Sequence, residues 1–361
     1  MTDAAAQENL RERNGQVEGR AETSHHPRTD AKRDDEWYYG IPPIKPAHWA
    51  WEIWLYFWLG GIGAGAHLAS VVGQLLGWKD KAFIRASRYT VLVTMLISPV
   101  LLILDLGRPE RFLNMLRILK LRSPMSLGSW ALFAFGNLGG LVAASQAARD
   151  GLLGRNTLSR TLTRLIPDRA LSVLALPFAL FVGAYGGILI AATSIPMWAR
   201  NWFLMGPTFL ASGISTGLSM LSFILHLGEW GEKRTLQALH RAERLVLLIE
   251  AGLMAASLIK MGRWGKPLRT KKLAPLFFGG TILGGVLTPL ALIFGGKETR
   301  GKSLLTSVLV LLGGLAFRYA MVEGGRMSSH DPEAYFTFAQ GENVPAGGRD
   351  LGVHPPPSQR S

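Results

Sequence analysis

The sequence predicts an all-α fold: a polytopic membrane protein with about eight transmembrane helices in a bundle. Three observations carry this. Hydrophobic residues make up 48% of the 361 positions, and mean hydropathy is +0.20. Eight apolar runs are each long enough to cross a hydrocarbon core of about 30 Å, which needs about 20 helical residues. Lysines and arginines gather in short clusters between those runs, as they do in loops that flank membrane spans.

Taken in order, residues 1–48 read as a polar, flexible tail with no secretory signal. The stretch "RERNGQVEGRAETSHHPRTDAKRDDE" has almost no large apolar side chain and cannot bury enough surface to fold alone. Its neighbours His25 and His26 lack the fixed geometry of a metal site. The membrane domain is expected over 49–325, with spans near 51–77, 89–106, 125–147, 170–194, 205–227, 241–260, 274–296 and 303–322. Residues 326–361 form a second polar tail. Small residues recur at four-residue spacing in "GGIGAGAHLAS" and "GNLGGLVAAS", which lets helices approach closely. An even number of spans puts both termini on one side, here called side A; the other is side B.

The net charge is +14, but its distribution between apolar runs argues for membrane flanks rather than nucleic acid. The loops on side B hold slightly more Lys and Arg than those on side A. That tilts side B toward the cytoplasm, making this a multi-pass inner-membrane protein with its termini on the outer, periplasmic side.

One side A connection is more than a loop. "RPERFLNMLRILK" sets Phe112, Leu113, Met115, Leu116 and Leu119 against Arg111, Asn114, Arg117 and Lys120, as in a short amphipathic helix at the interface. The next span opens with "SPMS", where Ser123 can cap and Pro124 can start the helix.

Several polar side chains then converge. Glu52 and Tyr56 are four apart, on one face of the first span. Asp105 ends the second span on side A, and Tyr185 lies about ten residues below the side A end of the fourth. Two carboxylates and two phenols thus share the side A half. Taken singly, each has an ordinary reading, since tyrosines favour membrane interfaces and carboxylates near helix ends snorkel to water. Taken together they point to proton or ligand work inside the bundle.

A second set comprises His67 and His226 in the first and fifth spans and Glu250 halfway along the sixth. A mid-membrane carboxylate costs a few kcal/mol. It either serves a proton route from side B or pairs with a buried base such as Arg318 or Arg244. Two histidines within the expected spans are too few for paired haems. With no cysteine, the chain holds no iron–sulfur cluster and no thiolate metal site.

These segments have a known likeness. "YYGIPPIKPAHWAWEIWLYFWLGGIGAGAHL" and "DLGRPERFLNMLRILKLRSPMSLGSWAL" resemble the opening and the most recognisable motif of the NrfD/PsrC-like membrane proteins. "YGGILIAATSIPMWARN" is similar to their fourth span, and "FRYAMVEGGRMSS" to their closing segment. The resemblance implies an eight-helix subunit that reacts with quinone, menaquinone or ubiquinone. It implies a ferredoxin-like, multi-cluster iron–sulfur partner and, usually, a molybdopterin catalytic subunit. Family members bind quinone near the face that meets the iron–sulfur protein, through polar residues early in the first span and a tyrosine in the fourth. Those positions match Glu52, Tyr56 and Tyr185, with Asp105 close by. Some members carry histidine and asparagine in the first span where this chain has Tyr56 and a residue at or near Glu52, so their hydrogen bonding does not transfer. The basic segment with Arg108, Arg111 and Arg117 is the expected docking face. Electrons and protons would then pass through a quinone-site subunit, with the whole complex as the enzyme. The rival readings are a secondary transporter, which would show internal symmetry and broken helices, and a purely structural membrane anchor.

Overall fold

Backbone groups in lipid must be paired within their own segment, and every long apolar run of this chain is helical. The protein is described by a computed structural model over residues 44–154, 156–296 and 299–339. His25, His26 and most of both expected tails lie outside the described residues, as do Arg155 and Lys297.

Among the described residues, eight helices are long and apolar enough to cross a membrane. They are α1 (Trp51–Leu75), α2 (Lys81–Asp105), α3 (Pro124–Arg149), α4 (Asp168–Ala191), α5 (Trp202–Gly228), α6 (Lys233–Met261), α7 (Pro275–Phe294) and α8 (Arg300–Ser329). Local signals fix their starts. Asp80 caps α2 by accepting from the Ala82 and Phe83 amides at 2.9 and 3.1 Å. Ser123 caps α3, with Pro124 in its first turn.

Two spans depart from simple expectation. Helix α6 begins eight residues before the predicted 241, so His240 lies inside it along with Glu243, both buried. Most of α7, Pro275–Leu287, is wound as a π-helix before returning to α-helix at Thr288–Phe294. The side A segment is shorter than its pattern suggests: a turn of 3₁₀ helix at Pro109–Arg111 leads into a helix over Phe112–Arg117. There the chain turns extended at Ile118, and the Ser126 hydroxyl accepts from the Lys120 amide at 3.0 Å, fastening the exit to the start of α3.

The packing makes two rings of four. In the first, α1 meets α2, α2 meets α3, α3 meets α4, and α4 returns to α1. In the second, α5 meets α6 and α8, and α7 lies against α8 and α6. The rings share a wall where α5 packs on α1 and α4. That wall is glycine-lined: a Cβ on Gly217 would sit 2.5 Å from the Ala66 nitrogen. Only hydrogen side chains permit so close a crossing.

On side B the ends of α2, α3 and α4 are tied by charge. Asp168 receives Arg88 at 2.7 Å and Arg149 at 2.6 Å. Arg88 also reaches the side-chain oxygen of Gln146 at 2.8 Å, while Asp150 takes Arg85 and Tyr89 at 2.8 and 2.6 Å.

Candidate functional site

The first turns of α1 carry Glu52 and Tyr56, and the α-helical repeat puts both on one face. Tyr56 is almost fully buried, at 2% exposure. Its hydroxyl has no hydrogen-bond partner, and neither does the buried Oε2 of Glu52. A buried polar atom left unpaired costs about 1–3 kcal/mol, so two such atoms on adjacent turns call for an explanation.

Tyr185 joins them from α4, near enough to Tyr56 for the two phenols to interact electrostatically. Its ring lies directly on the backbone of Gly128 in α3, where any side chain would overlap it. Phe57 packs on Gly186 in the same way, with a Cβ there 2.8 Å from the ring. Apolar walls thus hold both phenols in place.

Asp105 closes the set from the end of α2. It lies beside the Ala50 amide, the Glu52 carboxylate and the imidazole of His48. His48 is exposed, whereas Tyr56 is buried, so Tyr56, Glu52, Asp105 and His48 step outward from core to surface. All four predicted residues therefore gather at side A. His48 is an addition: it stands before the first span, and only the folding back of that segment brings it to Asp105.

The three predicted docking arginines are on the surface of the same side. Arg108, Arg111 and Arg117 are exposed and make no ion pair among the described residues. Around them Leu113, Ile118 and Leu121 are also exposed, between 55% and 73%.

The second predicted set divides. His67 belongs to the first ring: its Nε2 donates to the Ser172 carbonyl of α4 at 2.9 Å, and its ring meets Phe135 edge-on. His226 and Glu250 belong to the second ring. Glu250, 2% exposed, accepts from the Ser215 hydroxyl at 2.5 Å and lies within hydrogen-bonding reach of Ser212. Ser212 in turn receives Arg318 at 2.8 Å. Arg318 is fully buried and also donates to the carbonyls of Gly314 and Phe57, at 2.9 and 3.3 Å. The buried base near Glu250 is thus Arg318, acting through a serine; Arg244 instead lies over the Phe294 ring.

Below Glu250 toward side B, the His226 and His240 rings are 5.3 Å apart. His240 Nδ1 is 3.2 Å from Glu243, itself 2% exposed. Glu243 is one heptad before Glu250 on the same buried face of α6. His240 fell outside the predicted span because Lys233, Arg234, Arg241 and Arg244 lower the apolarity of that stretch, and Glu243 stood inside the span without being singled out. Their seven- and three-residue spacing on a buried helical face was the available signal. Among the described residues no group of three or more His, Asp or Glu is placed to hold a metal ion.

Comparison with known proteins bears on this arrangement. The family described as "Polysulphide reductase, NrfD" matches residues 43–328. The C subunit of polysulfide reductase from Wolinella succinogenes is 29% identical over 303 residues, covering 77% of the present sequence and 94% of that subunit.

Proposed function

Because the chain belongs to the NrfD family, we propose that it is the quinone-binding membrane subunit of a multi-subunit oxidoreductase. In this reading it passes electrons between a membrane quinone and an iron–sulfur partner docked on side A, beside a molybdopterin catalytic subunit. The complex is the enzyme, and this chain supplies its quinone site. It sits in the inner membrane with both termini toward the periplasm.

The observation that carries the reading is the pair of orphaned atoms, Tyr56 OH and Glu52 Oε2. A quinone has two carbonyl acceptors, and its reduced form has two hydroxyl donors, so both atoms would be satisfied by one ligand. A bound quinone supplies two-electron, two-proton chemistry. Tyr56 and Tyr185 donate hydrogen bonds to a carbonyl and hold the ring in register between apolar walls. Glu52 accepts or returns a proton, and Asp105 and His48 hand it to the side A surface. The electrons need an acceptor on another subunit, because this chain has no cysteine to bind a cluster. The exposed arginines and leucines over Arg108–Leu121 give that subunit a surface at the same end of the bundle.

A specific set of contacts favours a coupled proton route as well. Half-buried His226 and buried His240, Glu243 and Glu250 run inward from side B, with about 10 Å of helix between the two carboxylates. The series meets Ser212 and Arg318, and Arg318 touches the carbonyl of Phe57, the neighbour of Tyr56. Protons taken up from side B could then reach the chemistry on side A.

Photolabelling of the assembled complex with an azido-quinone tests the proposal. Label on α1 or α4 near Tyr56 or Tyr185 is expected. Label confined to other helices removes the site, and absence of an iron–sulfur protein from the purified complex favours a transporter.

A further inference from the structure

A cavity of about 1160 Å³ runs from the side B rim up to Leu59 and Ile62 of α1, in the groove between α2 and α5. It is larger than the roughly 300–1,000 Å³ common for small-ligand sites. The groove has two zones. Toward mid-membrane its wall is apolar, formed by Ile62, Val93, Met220 and Ile224. At the side B rim it is cationic, with Lys81, Arg85, Arg88 and Arg149.

The rim carries a surplus of positive charge. Asp168 is shared by Arg88 and Arg149, and Asp150 takes Arg85. Four cations against two carboxylates leave two positive charges. Lys81, exposed at the start of α2, has no ion-pair partner among the described residues. Arg85 is 54% exposed despite its contact with Asp150. Trp230, 67% exposed, stands at the same rim, the level at which tryptophans meet lipid head groups.

We propose that this groove is a binding site for one anionic phospholipid, with its phosphate at Lys81 and Arg85 and an acyl tail along the α2–α5 wall. Basic pockets between membrane helices select anionic head groups in this way. A zwitterionic lipid brings no net charge to match the surplus. A quinone has an uncharged head that leaves the rim's surplus charge unmatched, and the hydroxyls along the wall are committed. Thr90 donates to the Ala86 carbonyl and Thr94 to the Thr90 carbonyl, each at 2.8 Å, and Tyr89 donates to Asp150. The site is separate from the Tyr56 cluster and does not depend on it.

The test is native mass spectrometry and thermal unfolding of the full-length protein in detergent, before and after delipidation. One retained phosphatidylglycerol or cardiolipin per protein molecule is expected. Adding phosphatidylglycerol to delipidated protein should raise Tm by several degrees, with phosphatidylethanolamine and inorganic phosphate having no such effect. The double variant Lys81→Gln/Arg85→Gln should retain the lipid at least five-fold less. Val93→Trp, which fills the wall and leaves the rim intact, should do the same, so a rim variant that misfolds does not decide the matter. Equal stabilisation by phosphatidylethanolamine would mean ordinary annular lipid and overturn the proposal. Stabilisation by phosphate alone would mean a free-anion site, and a quinone retained in the groove would assign it to another ligand. Either result also overturns it.

Discussion

Arg318, on the last membrane helix, donates a hydrogen bond to the backbone carbonyl of Phe57, on the first, at 3.3 Å. The contact places a fully buried guanidinium one residue from Tyr56 and, through Ser212, next to Glu250. It joins the side A cluster to the buried carboxylates of the second ring. Arg318→Gln should therefore affect both, lowering quinone turnover and the stability of the fold. Removing one member of a buried charged set costs about 3–5 kcal/mol, so unfolding of the variant in detergent should begin well below that of the parent.

Tyr56→Phe should have opposite effects on stability and activity. In the quinone-free protein it deletes a buried hydroxyl that has no partner, stabilising the fold by up to about 1–3 kcal/mol. In the assembled complex it removes a hydrogen bond worth about 0.5–1.5 kcal/mol to the ligand, weakening quinone binding by roughly two- to twelve-fold. Paired measurements of Tm and quinone-linked turnover check this; a lower Tm with unchanged turnover would make the hydroxyl structural.

Gly128→Ala should resemble Tyr185→Phe in activity but not in stability. The added methyl overlaps the Tyr185 ring and must push it aside, at about 1–3 kcal/mol of overpacking. Tyr185→Phe keeps the ring in place and loses only the hydroxyl, so the complex should assemble at normal yield with reduced turnover. Full quinone activity in both variants would remove Tyr185 from the site.

Glu250→Gln keeps the size of the side chain and loses its titration. In reconstituted vesicles the membrane potential generated per turnover should fall more than turnover itself. If both stay at the parental level, Glu250 serves only to hold Ser215 and Ser212.

Asp168→Asn leaves Arg88 buried beside a neutral amide and removes the counter-ion of Arg149. A loss of about 3–5 kcal/mol is expected, with turnover per assembled complex unchanged because the network lies on side B. Chemical denaturation and specific activity, measured on one preparation, separate the two effects.

The eight spans were readable from the sequence because a hydrocarbon core demands about 20 apolar residues from each helix, whatever its neighbours. Ser123 and Pro124 announced the start of α3 by local chemistry alone. Glu52, Tyr56, Asp105 and Tyr185 could be brought to one side by counting rise along alternating helices. What the counting could not supply was helix rotation. His67 and Glu250 occur at plausible depths in the same alternating scheme, yet His67 faces α4 and Glu250 faces α5. His240 escaped because its helix extends into a basic stretch that the predicted span left out, whereas Glu243, already inside that span, gave no sign of its own in the sequence that it faced the protein interior. The Arg88–Asp168 pair joins residues 80 apart in sequence, and no local pattern marks such a partner.

The Arg318–Phe57 bond also has a consequence in time. Its two ends are 261 residues apart, and a ribosome adding about 5–20 residues per second needs on the order of 10–50 s to cover that distance. Throughout that interval α1 lacks its final contact, because Arg318 has not yet been made. When it arrives it can be buried only where Phe57, Phe209 and Ser212 stand ready to receive it. Any product that stops short of the eighth helix leaves Tyr56 in an unfinished wall. A membrane protease could tell such a nascent product from a completed one by that gap, before any partner subunit had been spent on it.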